Sequence, residues 1–395
     1  MTKHRRIGLL PQIAIAIALG IGAGFIMPGW ASRCFATFNS LFSSFLGFTI
    51  PLLIVGFVAP AIADIGRRAG AMLLATVVIA YLMTFGSGAL TYLTSATLFP
   101  SMIEPDSYVA AEMAATGSPA PYFTVDVPPL MGVTSALVLA FVLGFGCAML
   151  PSAKSLKDVL DGFRDIIRLV IDKAIIPLLP IYIFGIFLDM TVSGKVGPVL
   201  LTFVKIIAVI FCLHVGVLIL QYCIASLFSR KNPFKCLWTM MPAYFTALGT
   251  QSSAATIPVT LEHTVAMGVD RDVAGFTVPL CATIHMSGST LKIVSCALAL
   301  MILHGMPYDF GMFAGFIAML GITIIAAPGV PGGAIMASLG LLASILGFDA
   351  DMQAMMIALY IAMDSFGTAC NVTGDGALAV IIDRFFSPQR SFRTL

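Results

Sequence analysis

A polar stripe runs through the last apolar segment of the chain: Asp364, Gly367, Thr368, Asn371 and Asp375 stand at i, i+3, i+4, i+7 and i+11. On a helix these positions share one face. Carboxylates at membrane depth are costly, and such groups face a water-filled cavity, a bound cation or a paired base. Asp364 is suited to hold an ammonium group, and Asp375 with Asn371 offers oxygen ligands to a small cation. The stripe therefore reads as a solute or ion site. In the competing reading both acids pair with Lys or Arg to hold helices together, although the span itself offers no neighbouring base.

Two other apolar stretches are broken by polar and small residues. One carries Gly249-Thr250-Gln251-Ser252-Ser253-Ala254-Ala255-Thr256-Ile257-Pro258, the other Ala326-Ala327-Pro328-Gly329-Val330-Pro331-Gly332-Gly333. Irregular backbone at this depth survives only where protein buries it or a cavity hydrates it, and a pair of interrupted segments points to the binding site of a transporter. Both are read as re-entrant hairpins whose tips meet near the midplane. The alternative, two Gly/Pro-kinked spanning helices, would add crossings and turn the polar tips toward lipid. A tip that opens a half-helix presents free N–H groups and a positive dipole end to a carboxylate. Ser252 and Ser253 add hydroxyls at the first tip, and glycines around Val330 let the second approach a ligand closely. A carboxylate binder facing an ammonium binder suits a zwitterionic amino acid.

A third polar run, Thr283-Ile284-His285-Met286-Ser287-Gly288-Ser289-Thr290-Leu291-Lys292, interrupts the penultimate full span. Gly288 and its polar neighbours predict a locally unwound helix whose carbonyls ligate a cation. Hydroxyls bonding back to their own helix are the plain alternative. Lys292, alone in this apolar surrounding, is expected to face a carboxylate or a cavity.

The elements that must carry these groups are apolar helices. Of 395 residues 59% are hydrophobic and 10% charged, and the mean hydropathy is +1.01. No soluble domain hides that much apolar surface, so the chain reads as an all-α polytopic membrane protein. Spans of about twenty residues or more fall near Leu9–Met27, Leu41–Ile65, Ala71–Phe99, Val133–Met149, Leu169–Met190, Val199–Phe228, Phe276–His304 and Met355–Ile382. The first follows Lys3-His4-Arg5-Arg6 but is too long for a signal h-region and lacks a persuasive cleavage site. Basic residues mark alternate connections (Arg67-Arg68, Lys154 and Lys157, Arg230-Lys231) and the tail, whereas the connection after the third span carries Glu104, Asp106, Glu112 and Asp126. By the positive-inside rule both termini are cytoplasmic and the acidic loop external. A net charge of +2 does not call for nucleic acid, and the 8 cysteines show no metal-ligand spacing. No nucleophile–base constellation appears in the spans, so an enzyme is not expected.

These motifs resemble a known family. Ser252-Ser253-Ala254-Ala255-Thr256-Ile257-Pro258-Val259-Thr260 is similar to the serine-rich first tip of the dicarboxylate/amino acid:cation symporters, which share the glutamate-transporter fold. Gly329-Val330-Pro331-Gly332 looks like their second tip, and Asn371-Val372-Thr373-Gly374-Asp375 resembles the signature of their last helix. The similarity covers essentially the whole chain in the family's order. It implies eight transmembrane helices plus two re-entrant hairpins, and a homotrimer in a cytoplasmic (inner) membrane whose protomers work as elevators. Residues 1–70 and 131–228 would supply scaffold and connecting helices, and 71–130 a transport helix with the external loop. The transport core would be 229–395, with hairpin 1 (233–265), a broken helix (273–304), hairpin 2 (309–349) as outer gate and a final helix (351–386).

The resemblance also assigns residues. Ser252, Ser253, Ser289, Val330, Gly332, Asp364, Gly367, Thr368 and Asn371 would bind substrate, with Asp364 on its amino group. Gly367 stands where acidic-substrate members carry an arginine, Tyr360 replaces an acidic residue, and Gln251 replaces an arginine beside the first tip. Without a bidentate cation at 367 an acidic substrate would bury an unpaired charge, which implies a neutral amino acid with a larger side chain in the space above Gly367. Tyr81, Thr84, Thr283, His285, Met286, Asn371 and Asp375 match positions of sodium ligands, Na+ being the implied coupling ion. His285 and Ser287 depart from the family's Asn and Asp, and Cys281 replaces a glycine, so fewer sodium ions are implied. An imidazole changes charge near neutral pH, so proton coupling through His285 is an alternative. Lys292 could place its ammonium where a cation is missing, near Asp375 or Asp364. Two rival functions stay open: an acidic amino-acid or C4-dicarboxylate carrier anchored by Lys292, and a passive facilitator or exchanger.

Overall fold

The computed structural model describes residues 9–67, 70–103, 119–194, 196–325 and 332–387. All regular structure among them is helical, as expected where hydrocarbon leaves the backbone no other partner. The first half comprises α1 (Leu9–Gly24), α2 (Gly29–Arg67), α3 (Ala71–Met102), α4 (Val133–Met149), α5 (Lys154–Val170), α6 (Ile176–Val192) and α7 (Val196–Ser229). A π-turn, Ile171–Ile175, joins α5 to α6 just before Pro177, whose ring nitrogen has no hydrogen to donate. The second half comprises α8 (Pro233–Thr239), α9 (Met241–Thr250), α10 (Ser253–Ala266), α11 (Arg271–Ile284), α12 (Ser287–Leu303), α13 (Phe310–Ile325), α14 (Gly333–Leu346), α15 (Ala350–Ala362) and α16 (Asp364–Phe386).

Gly29–Pro60, Ala71–Met102, Pro151–Val192, Thr202–Ser229 and Arg271–Leu303 are each long and apolar enough to cross a membrane. The pair α15–α16 adds another if counted across its 62° bend. The chain is a multi-pass membrane protein. By contrast α9, α10, α13 and α14 run only 10, 14, 16 and 14 residues, short of the roughly twenty that a crossing needs.

Side chains begin many of these helices: Asn232 caps α8, Asp270 caps α11 through the N–H groups of Asp272 and Val273, and Asp349 caps α15. Early helices pack among themselves, α2 on α4 and α1 on α6. In the second half α12 lies at the centre, against α3, α7, α15 and α16, while α16 also meets α7, α9, α10 and α11. Every residue of α12 is buried, so it needs no amphipathic pattern. Close approach rests on glycine: a Cβ at Gly288 would lie 2.6 Å from the Gly367 carbonyl and 2.7 Å from Cys370 Cβ.

The penultimate span is unwound within its polar run, at His285 and Met286 between α11 and α12. Gly288 lies inside α12, where its lack of a side chain lets α16 approach. One expectation needs correction. The final helix, expected unbroken over 351–386, is two helices bent at Met363. The bend puts Asp364 in the first turn of α16, beside the positive end of the helix dipole. Val330 and the rest of the second tip up to Pro331 lie outside the described residues, as do Glu104, Asp106 and Glu112.

Candidate functional site

Across the α12–α16 contact the bend at Met363 meets Lys292, and the break at His285–Met286 meets Asn371 and Asp375 further along α16. Asp364 Oδ1 accepts a hydrogen bond from Lys292 Nζ at 3.0 Å, and Oδ2 accepts the Gly332 N–H at 2.8 Å. Lys292 is fully buried and the Asp364 side chain is 8% exposed. The ammonium also lies 3.4 Å from the Met363 carbonyl and 3.6 Å from the centre of the Tyr360 ring, a cation–π contact. Gly332 holds the left-handed conformation (φ 78°) at the start of α14, which aims its N–H at Asp364. The end of the second interrupted segment is thus tied to the carboxylate.

Gly367 sits under the Lys292 side chain. A Cβ added there would collide with Cε and lie 2.5 Å from Nζ. The space above Gly367, expected to take a larger substrate side chain, is occupied by Lys292 in this structure. Thr368, expected to face substrate, donates its hydroxyl to the Asp364 carbonyl at 3.0 Å.

One turn further along α16, Asn371 organises the start of α12. Its Oδ1 accepts the N–H groups of Gly288 (2.8 Å) and Ser289 (3.3 Å), and its Nδ2 donates to Ser289 Oγ (3.0 Å) and lies 3.4 Å from Met286 Sδ. The amides of a helix's first turn lack intrahelical acceptors, so a side chain from α16 caps α12. Ser289 Oγ also accepts from the Tyr360 hydroxyl at 3.1 Å. Ser289, Asn371 and Met286 are thus neighbours in the structure.

At the next turn Asp375 Oδ1 lies 2.9 Å from His285 Nδ1, both side chains being almost wholly buried. Gln221 of α7 donates to Ser287 Oγ at 2.9 Å and lies 3.5 Å from His285 Nε2. The absence of a side chain at Gly374 admits both, since a Cβ there would stand 2.5 Å from Gln221 Oε1 and 2.7 Å from His285 Cε1.

The remaining residues matched to sodium positions do not close one shell. Thr84 Oγ1 accepts the Met286 N–H at 3.3 Å, so it reaches the cluster. Tyr81 donates instead to the Ala318 carbonyl of α13, and Thr283 turns its hydroxyl back to Leu280. No group of three or more His, Cys, Asp or Glu stands together among the described residues. A cation here would be held by neutral oxygens of Asn371, Ser289 and the α11–α12 backbone, with Asp375 as the nearby charge.

At the first tip Gln251 takes a left-handed conformation (φ 53°), Ser252 Oγ accepts the Ala255 N–H at 3.3 Å, and Thr250 and Thr256 hydroxyls meet at 2.9 Å. Ser253 is buried, and both flanking helices pack on α16.

Sequence reasoning missed the contribution of α7. His214 Nε2 lies 3.4 Å from the Gly288 carbonyl, and Gln221 stands seven residues later. Two polar residues at i and i+7 on an apolar span mark one face, a signal that was legible. Ser87 of α3 donates to the Ser287 carbonyl at 3.0 Å.

The profile of the sodium:dicarboxylate symporter family matches residues 9–385. The chain belongs to that family. Among curated relatives, two serine/threonine transporters SstT from Acinetobacter baumannii, strains ATCC 17978 and AYE, are each 27% identical over 397 residues, covering 96% of this chain and 97% of theirs. A sodium:dicarboxylate symporter is a transporter rather than an enzyme, and the cluster at the α12–α16 crossing contains charges that such a carrier can use. In this symporter both acids of the stripe already hold basic partners from the broken span.

Proposed function

We propose that the protein is a secondary active symporter that imports a neutral amino acid, coupled to sodium. The observation that carries this reading is the Asp364 carboxylate in the first turn of α16, linked to Gly332 and flanked by a glycine at 367. It offers a seat for a substrate ammonium and no side chain at 367 to bind a second carboxylate. The relatives named as serine/threonine transporters agree with small neutral substrates. The proposed arrangement is the eight-helix, two-hairpin elevator of a homotrimer, for which the family resemblance is the support. In that arrangement the third helix, within 71–130, moves with residues 229–395, and hairpin 2 gates this core from outside. Both termini are cytoplasmic on the basic-residue pattern.

Lys292 gives the acidic-substrate rival its one support, because its ammonium stands over Gly367. That charge is balanced by Asp364 at 3.0 Å, so an added carboxylate would leave the pocket with net negative charge, a cost of several kcal/mol. Charge balance favours a zwitterion without a charged side chain. His285 on Asp375 supports protons as the rival coupling ion. The test is uptake of labelled serine into proteoliposomes under imposed sodium or proton gradients, with threonine, alanine, glutamate and succinate as competitors. Sodium-driven accumulation displaced by threonine or alanine supports the reading. Displacement by glutamate or succinate alone, or uptake that never exceeds the outside concentration, contradicts it.

A further inference from the structure

The cation seated on Asp364 is part of the chain. Lys292 Nζ is enclosed by Asp364 Oδ1, the Met363 carbonyl and the Tyr360 ring, with no solvent exposure. The lack of a side chain at Gly367 makes this seat possible, because a Cβ there would take the space of Cε and Nζ. Carboxylate, carbonyl and ring face build a cation subsite, and its occupant is tethered through the lysine stem to α12.

A substrate that places its own ammonium on Asp364 needs the same carboxylate. Oδ1 is already engaged by Lys292 Nζ and Oδ2 by the Gly332 N–H, and a second ammonium at the same carboxylate would press two like charges together in a buried corner. The tethered ammonium must therefore yield. We propose that Lys292 is a built-in stand-in for the substrate's ammonium: it holds Asp364 in the empty carrier, moves off when an amino acid binds, and returns on release. The inference rests on the amino-acid reading of this site. Its consequence is electrical. Asp364 and Lys292 sum to zero in the empty pocket, so that pocket can cross the bilayer without carrying a bare carboxylate. A zwitterion leaves the sum unchanged, so the coupling ion is the only net charge that loading adds.

The test compares wild type, Lys292→Met and Lys292→Arg, purified and reconstituted. Labelled serine gives the equilibrium Kd of each. Two fluxes are then measured: exchange of outside for inside serine, and net uptake into serine-free vesicles. Only net uptake requires the empty carrier to reorient. Lys292→Met is expected to bind serine about tenfold more tightly or better, because binding no longer waits for the fraction of sites that have released their lysine. Its ratio of net uptake to exchange should fall by about tenfold or more, while Lys292→Arg keeps the wild-type ratio. Weaker or unchanged affinity in Lys292→Met would overturn the proposal and make Lys292 a substrate ligand or a strut. Equal loss of both fluxes would overturn it too. Should the Met variant not fold, Lys292→Gln, which keeps a donor for Asp364 without the charge, is judged by the same criteria. Wild-type protein that binds no neutral amino acid would sink the substrate reading and this inference with it; wild-type binding with the wrong sign in Lys292→Met sinks the stand-in alone.

Discussion

Asn371→Ala is the perturbation whose size the structure allows us to work out most fully. The amide side chain bonds the N–H groups of Gly288 and Ser289 and the Ser289 hydroxyl. Removing it orphans two buried amides, each worth roughly 1–3 kcal/mol. Polar pairs inside membrane bundles measure lower, about 0.6 kcal/mol on average, which sets a total of roughly 2–4 kcal/mol for the lost cap. For a chain of this length that corresponds to a fall in melting temperature of about 2–5 °C. Cys147, Cys236, Cys281, Cys296 and Cys370 are buried, so a thiol-reactive dye reports unfolding in detergent. Asn371→Asp keeps the acceptor for both amides and should lose less than half as much. Ser289 belongs to the candidate substrate shell, so serine affinity should fall in the Ala variant as well. If both variants melt within 1 °C of wild type (about 1 kcal/mol at this length), Asn371 does not hold the start of α12 and the reasoning fails.

Other perturbations test neighbouring links. Gly332→Ala should destabilise by about 1–2 kcal/mol, since a Cβ is strained at φ 78°, and should loosen the N–H bond to Asp364; the melting curve reads the first effect and serine Kd the second. Gly367→Ala forces the end of Lys292 aside and should cost roughly 1–3 kcal/mol by overpacking, with reduced serine uptake. Gln221→Leu removes the donor to Ser287 and should cost about 1–2 kcal/mol, while shifting the sodium dependence of uptake. Asp383→Ala removes the acceptor of the Asp270 N–H at the entrance to α11. It should lower stability by about 1 kcal/mol and leave serine Kd unchanged; a changed Kd would show that this distant tie communicates with the site.

Much of this layout was legible in the residues. The spacing of Asp364, Asn371 and Asp375 put them on one face, and α16 carries them so. Composition and span length fixed an all-helical membrane protein. The partners of the two acids were less accessible, because they are long-range. Lys292 and Asp364 are 72 residues apart, His285 and Asp375 are 90 apart, and only the α12–α16 crossing joins them. The pairing reading of the acids, set against the site reading at first, describes the same atoms. The polar run Thr283–Lys292 announced a break, but not that the chain would unwind at His285–Met286 while Gly288 serves the tight helix crossing. The 62° bend at Met363 had no glycine or proline to announce it.

The most direct test of the central claim is equilibrium binding of labelled serine to Asp364→Asn, with size-exclusion and the thiol-dye melt confirming that the variant is folded. Loss of displaceable binding in a folded variant is the predicted result. A folded Asp364→Asn protein that binds serine with wild-type affinity would contradict the account, because the carboxylate at the head of α16 would then not be the seat of the substrate's ammonium.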